Sequence, residues 1–372
     1  MNTVLLILGS QGIFSGSYLL FSKRGNLRAN KLLGFVLMEF AFFIIIPSLM
    51  RIYGDSVVHL TATTFPILFL MGPTMFLYVI EFTGYKKRNK YYFLNFVPAI
   101  IVLLYLTNFF TLDSTEKVGW LNNARYHGLP FDFTLIWLLS CIHLIVYFFK
   151  STKYVNRFQA QLSNFFSDLE RNNLNWLLYF IYGNAVLWTL YLLVFILFQF
   201  DVFVDPLGIS DLVFTLLLGL FLYGIGYNFL VRPEVFASSL SNRIIDDEEK
   251  YKKTNVTSEF AEEKLYKLKE LMSQKRPYLD EDLSLDNLSS MLSISQKKMS
   301  QIINQSLNKN FYEFINEYRI EEAKRLLSAR NNPKILAIAL DSGFKSKSTF
   351  NKAFKDITGM TPSKYRESVR SI

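Results

Sequence analysis

Two polar faces near the C-terminal end carry the side chains best suited to chemistry. If SQKKMSQIINQ is a helix, Gln296, Lys297, Ser300 and Gln301 point away from the apolar positions Met299, Ile302 and Ile303. In SKSTFNKAFKDITG, Lys347, Ser348, Thr349 and Lys352 stand in the same relation to Phe350, Phe354 and Ile357. Amides and hydroxyls hydrogen-bond base edges and lysines meet phosphates, so two such faces suit recognition of double-stranded DNA. Catalysis finds little here. The lone cysteine, Cys141, excludes an internal disulfide and a cysteine-based metal cluster. The three histidines, at 59, 127 and 143, are scattered, and no Gly-rich phosphate loop or metal-spaced cluster occurs. Neither enzyme activity nor a cofactor is expected.

Each face needs a partner helix to hold it. Ahead of the first, SLDNLSSML places Leu285, Leu288 and Leu292 at i, i+3, i+7, Ile294 fills a short turn, and Ser295 suits the N-cap. Ahead of the second, KILAIALDSGF places Ile335, Ile338 and Ala339 inward, Gly343 closes the helix, and Phe344 plugs the turn. The two N-caps, Ser295 and Ser346, lie about fifty residues apart, a weak internal repeat. Between them NFYEFINEYRIEEAKRLLSAR reads as one amphipathic helix with Phe311, Phe314, Ile315, Tyr318, Ala323 and Leu326 on its apolar stripe. From Leu283 onward fifteen Lys/Arg face eight Asp/Glu, whereas 232–282 holds ten against twelve. The basic excess coincides with the paired helices, as contact with phosphates requires.

GFKSKSTFNKAFKDITGMTPSKYR (343–366) resembles the signature of the AraC/XylS family of transcription regulators, and FYEFINEYRIEEAKRLL is similar to that family's connecting helix. The resemblance covers roughly a hundred residues. It implies a DNA-binding domain whose central helix holds two recognition helices for successive major-groove turns. At Lys352 many members carry Arg; lysine keeps the charge but lacks the fork that reads guanine. Lys355 and Lys364 suit phosphate contacts, which position without specifying.

The rest of the chain has another character. Hydrophobic residues make up 51% and charged residues 19%. Apolar runs near 3–22, 32–50, 64–83, 91–112, 132–149, 174–200 and 211–231 are each long enough for a helix of about 30 Å, the thickness of a bilayer's hydrocarbon core. The expected fold is all-α: a seven-helix transmembrane bundle over 1–231, a linker over 232–260, and a cytoplasmic domain with two helix-turn-helix units over 261–372. Alternate loops carry Lys23, Arg24, Arg28, Lys31; Lys86, Lys87, Arg88, Lys90; and Lys150, Lys153, Arg157, Arg171. The others hold Arg51, then Lys117 and Arg125, then none. The positive-inside pattern puts the N-terminus outside a bacterial inner membrane and everything after Arg232 in the cytoplasm. The first run, without a basic leader or cleavage site, reads as a retained helix.

Polar residues inside the runs, Glu39, His143 and Asn184, are candidate ligand-sensing groups or interhelical hydrogen bonds, and Glu81 sits at an inner end. Pro47 and Gly72-Pro73 mark expected kinks. Trp120, Trp137, Trp176, Tyr91 and Tyr92 suit either an interfacial belt or a core. AEEKLYKLKELMSQ is a helix whose Leu265, Leu268, Leu271 and Met272 would pack on the DNA reader or pair with a second copy in a homodimer. The expected function is a membrane-anchored, one-component transcription regulator with DNA, membrane lipid and an unknown small molecule as partners. The alternative is a transporter or membrane enzyme with a DNA-binding tail.

Overall fold

The computed structural model describes residues 2–23, 25–84, 90–167, 174–199, 209–231, 257–329 and 333–370. Every regular element among them is helical, with one isolated antiparallel bridge between Phe166 and Ser284. The chain divides into two compact units: Met1–Asn156 with Asn175–Asn242, and Arg157–Leu174 with Arg243–Ile372. Residues 232–256, most of the expected linker, lie outside the described residues.

The first unit contains α1 (Asn2–Phe21), α2 (Leu27–Tyr53), α3 (Thr64–Thr83), α4 (Val97–Tyr105), α5 (Thr107–Thr111), α6 (Ser114–His127), most of α7 (Phe131–Leu162), α8 (Asn175–Gln199) and α9 (Ile209–Val231). Among the described residues, five helical stretches are long and apolar enough to cross a membrane: Asn2–Phe21, Leu27–Leu60, Thr64–Thr83, Phe131–Leu162 and Asn175–Leu197. Tyr91–Tyr105 and Asp211–Tyr227 are apolar but shorter. The fourth apolar run is not one helix. A 3-10 turn (Lys90–Phe96) precedes α4, and the path breaks at Leu106, where the Thr107 hydroxyl donates back to the Leu104 carbonyl at 2.7 Å.

Close backbone approach holds α1 against α2. A methyl added at Gly16 would lie 2.7 Å from the Gly34 carbonyl oxygen, and one at Gly12 3.2 Å from that of Leu37. Helices α2 and α3 run through Pro47 and Pro73 without a break. Gly72 serves packing, since a methyl there would meet the Tyr147 ring at 2.9 Å. Trp137 is buried and stacks on Phe195 with centroids 4.0 Å apart; Trp120 packs on Phe133 at 4.8 Å; Trp176 meets Phe82 edge-on at 5.8 Å. Trp137 belongs to the core, while Trp120 and Trp176 are half-buried. Lys117, counted among the loop cations, is buried and donates to the Phe110 carbonyl at 2.8 Å. Outward, Phe14, Phe21, Ile142, Phe149, Tyr179 and Val186 are all more than half exposed.

The second unit contains α10 (Ser258–Gln274), α11 (Leu285–Met291), α12 (Gln296–Leu307), α13 (Phe311–Leu327), α14 (Ile335–Asp341), α15 (Lys347–Thr358) and α16 (Pro362–Arg370). Two cores share α13. Phe311, Phe314 and Ile315 join Leu268, Met272, Leu285, Leu288, Met299 and Ile303 in one; Ile320, Ala323 and Leu327 join Ile338, Phe344, Phe350 and Phe354 in the other. Leu268 and Met272 are fully buried, so the α10 face that also suited a homodimer is taken up by its own domain.

The end of α7 and the residues after it belong to this unit too. The Ser163 carbonyl accepts from the Tyr312 amide at 2.9 Å, and the Phe165 carbonyl from the Leu285 amide at 3.2 Å. Ser167 Oγ donates to the Leu283 carbonyl at 2.7 Å, and the Phe165 side chain packs on the first core. Leu285 and Tyr312 lie in the opening turns of α11 and α13, whose amides have no partner within the helix. Segment 163–167 therefore caps two helices of the second unit through its own backbone.

Candidate nucleic-acid interface

The paired helices form twice with matching dimensions. α11 and α14 have 7 residues each, and α12 and α15 have 12 each. Ser295 Oγ accepts from the Lys298 amide at 3.4 Å and Ser346 Oγ from the Thr349 amide at 3.1 Å, so both N-caps form as their sequence suggests. The turns are not identical, since 292–295 joins the first pair and 342–346, one residue longer, joins the second. Gly343 adopts φ +86°, and Ser293 in the equivalent place adopts φ +53°, a conformation costly for a residue with a Cβ.

On α15 the expected basic face is largely present. Lys347, Ser348, Lys352 and Lys355 are exposed, and positions 348, 352 and 355 follow i, i+4, i+7 on the side opposite Phe350 and Phe354. Lys364, in the first turn of α16, is exposed as well. On α12, Gln296 and Lys297 are half-buried, and the Gln296 amide donates to Asp286 on the preceding helix. Gln301 is half-buried, with Nε2 3.3 Å from Gln305 Oε1 and its own carbonyl oxygen buried without a partner.

Three expectations need correction. Ser300 is buried: it lies three residues before Ile303, on the same face, and its Oγ accepts from Asn304 at 3.3 Å. Thr349 is buried and its hydroxyl sits 2.8 Å from Ser346 Oγ, so it completes the N-cap. Ile357, expected inward, is 41% exposed in the last turn of α15. Two other lysines are turned to the domain: Lys345 pairs with Asp282, and Lys298 lies over the Phe260 ring at 4.8 Å.

Arg319 was missed, and it joins the two halves. Fully buried on α13, it donates from Nε to the Tyr278 carbonyl at 2.7 Å and from a terminal nitrogen to the Asp280 carbonyl at 2.9 Å, with its guanidinium 5.6 Å from the Phe344 ring centroid. A methyl at Gly343 would lie 2.3 Å from the Tyr278 carbonyl oxygen, so the second turn presses on the same bracket. The signal was available: Phe311, Ile315, Arg319, Ala323 and Leu327 follow strict i+4 steps, which places a charge on the buried stripe. Nearby, hydrogen bonds from Arg325, helped by Arg276, hold the Glu322 carboxyl below the ordinary carboxylate range.

The candidate sensing residues belong to the first unit and hold separate positions. Glu39 accepts from Thr74 at 3.0 Å and keeps one buried oxygen without a partner. His143 packs between Phe69 at 5.3 Å and Tyr147 at 4.8 Å, its Nδ1 buried and unpaired. Asn184 donates to the Phe180 carbonyl at 3.4 Å. No grouping of His, Cys, Asp and Glu suited to a metal occurs among the described residues.

Residues 288–368 match a helix-turn-helix domain family. An uncharacterized HTH-type transcriptional regulator of Staphylococcus aureus (strain COL) is 39% identical over 89 residues, which is 24% of this chain and 12% of that protein. The raffinose operon transcriptional regulatory protein of Pediococcus pentosaceus is 33% identical over 96 residues, 25% of this chain and 34% of that protein. The chain thus spans 12% and 34% of the lengths of these two relatives, and both matches are confined to about a quarter of it. No solved structure matches the chain. Taken with the duplicated 7- and 12-residue helices, the matches make the C-terminal part of this chain an AraC-type helix-turn-helix domain, a module for binding DNA.

Proposed function

We propose that this chain is a one-component transcription regulator anchored in a bacterial inner membrane, with residues 1–231 as sensor, 232–260 as linker and 261–372 as a cytoplasmic DNA reader. The observation that carries the reading is the union, in one chain, of a helix-turn-helix module with, among the described residues, five helices of membrane-spanning length. Their exposed apolar side chains would be costly in water and are at home in hydrocarbon. Lys347, Ser348, Lys352 and Lys355 meet DNA from α15, Gln296, Lys297 and Gln301 from α12, and Lys364 meets phosphate. Ser300 and Thr349 support these faces from beneath.

Segment 163–167 supplies the route between sensor and reader. It follows α7 directly, lies in a loop that the charge pattern assigns to the cytoplasm, and caps α11 and α13. A shift of α7 changes how firmly the first helix-turn-helix unit is held, and a ligand acts only through such a difference between two states. The test is a green fluorescent protein fused after Ile372. The reading expects fluorescence in the membrane fraction together with retention of genomic DNA at low salt. A dark fusion, or a membrane fraction indifferent to DNA, overturns it.

A further inference from the structure

The first unit contains a cavity of about 220 Å³ lined by aromatic rings from several helices. Trp120 of α6, Trp137 of α7, Trp188 and Tyr191 of α8, and Phe214 of α9 are among the rings of the wall. The rings brace one another: Tyr191 stacks on Phe214 with centroids 4.1 Å apart, and Trp188 meets Phe43 edge-on at 5.3 Å. Among the described residues, Asp211 is the one charged residue in the lining, and its carboxylate is paired with Arg51. None of Glu39, His143 and Asn184 reaches this wall.

We infer that this cavity is the sensor's ligand site, and that it takes a small, neutral, single-ring aromatic molecule; the inference rests on the regulator reading. Size sets the first limit, because about 150 Å³ suffices for benzene in an apolar protein cavity and the present one has room for a substituent. The stacked walls favour a flat ring over a branched chain. Charge sets the next limit. Among the described residues Asp211 is the charge in the lining and it is already paired with Arg51, so a neutral ring suits the wall better than an ionised one. Helix α7 gives the site an outlet: Trp137 lies on the wall and the same helix ends at Leu162, next to the segment that caps α11 and α13.

The test uses the full chain in lipid nanodiscs with 4-bromophenol, whose bromine quenches indole emission on contact. Trp120, Trp137 and Trp188 line the cavity and Trp176, the fourth tryptophan, does not. Saturable loss of more than about half the emission is expected, with Trp176→Phe keeping that loss and Ala124→Phe, which fills the cavity, abolishing it. A linear loss that is the same in wild type and Ala124→Phe overturns the inference. So does saturable quenching by phospholipid brominated in its acyl chains that 4-bromophenol fails to relieve, because the cavity then holds lipid. The melting profile of Ala124→Phe must match wild type; if it does not, Leu121→Phe replaces it with the same expectation. Retention of sheared genomic DNA is read in the same samples. DNA binding without saturable quenching sinks the cavity alone, and saturable quenching without DNA binding sinks the regulator reading and leaves the cavity.

Discussion

Lys352 and Arg319 carry like charges in neighbouring helices and do different work. Lys352 is exposed on the outer stripe of α15, so Lys352→Ala should weaken binding to a cognate site by about 1–3 kcal/mol in a gel-shift titration. Lys352→Arg, which adds the fork, should sharpen discrimination at one base pair. Arg319→Leu removes both donors from the Tyr278 and Asp280 carbonyls and should cost the second unit about 2–4 kcal/mol in chemical denaturation. Glu322 gives a pH signature. Its folded pKa lies below the unfolded value, so its contribution is present above about pH 4.3 and is lost as pH falls through the depressed folded value. The melting difference between wild type and Glu322→Gln should hold steady near neutrality and vanish in that acid range. Types and spacings in the sequence revealed the outer lysines. They did not reveal that Ser300 and Thr349 face inward, because a small hydroxyl fits either side of a helix and only the packed neighbour decides.

Among the elements, the duplicated helix pairs were legible because turn, N-cap and apolar stripe all agree, at Ser295 and again at Ser346. The break of the fourth apolar run at Leu106 was not, since a local hydroxyl-to-carbonyl bond leaves no mark on hydropathy. Segment 163–167 was hidden for a different reason: it binds through backbone carbonyls, which every sequence possesses. The buried part of Phe165 and the Ser167 hydroxyl tie it to particular residues. Phe165→Ala should therefore loosen it, raising hydrogen exchange at the Leu285 and Tyr312 amides by about tenfold or more while the amides inside α12 stay protected. Equal exchange at both amides in wild type and variant would remove the segment from any route of control. In the other unit, Gly16→Leu should disrupt α1 against α2, because its Cβ would meet the Gly34 carbonyl; loss of folded protein from the membrane fraction is the readout.

For the whole molecule, a helix-turn-helix module and an apolar helical unit share one chain, and the proposal is that the apolar unit controls the module. Composition separated the two parts, since the apolar runs stop near Val231 and the basic excess starts near Leu283. It was silent on the hydrogen bonds that a loop far upstream in the chain makes with the first helix-turn-helix unit. The central claim is that the second unit reads specific DNA while the first stays in the membrane. Crosslinking the full-length chain in intact cells, isolating membranes and sequencing the attached DNA tests it most directly. The expected result is a small set of sharp peaks that disappear in the Lys347→Ala, Lys352→Ala double variant; flat coverage, identical in wild type and variant, would contradict it.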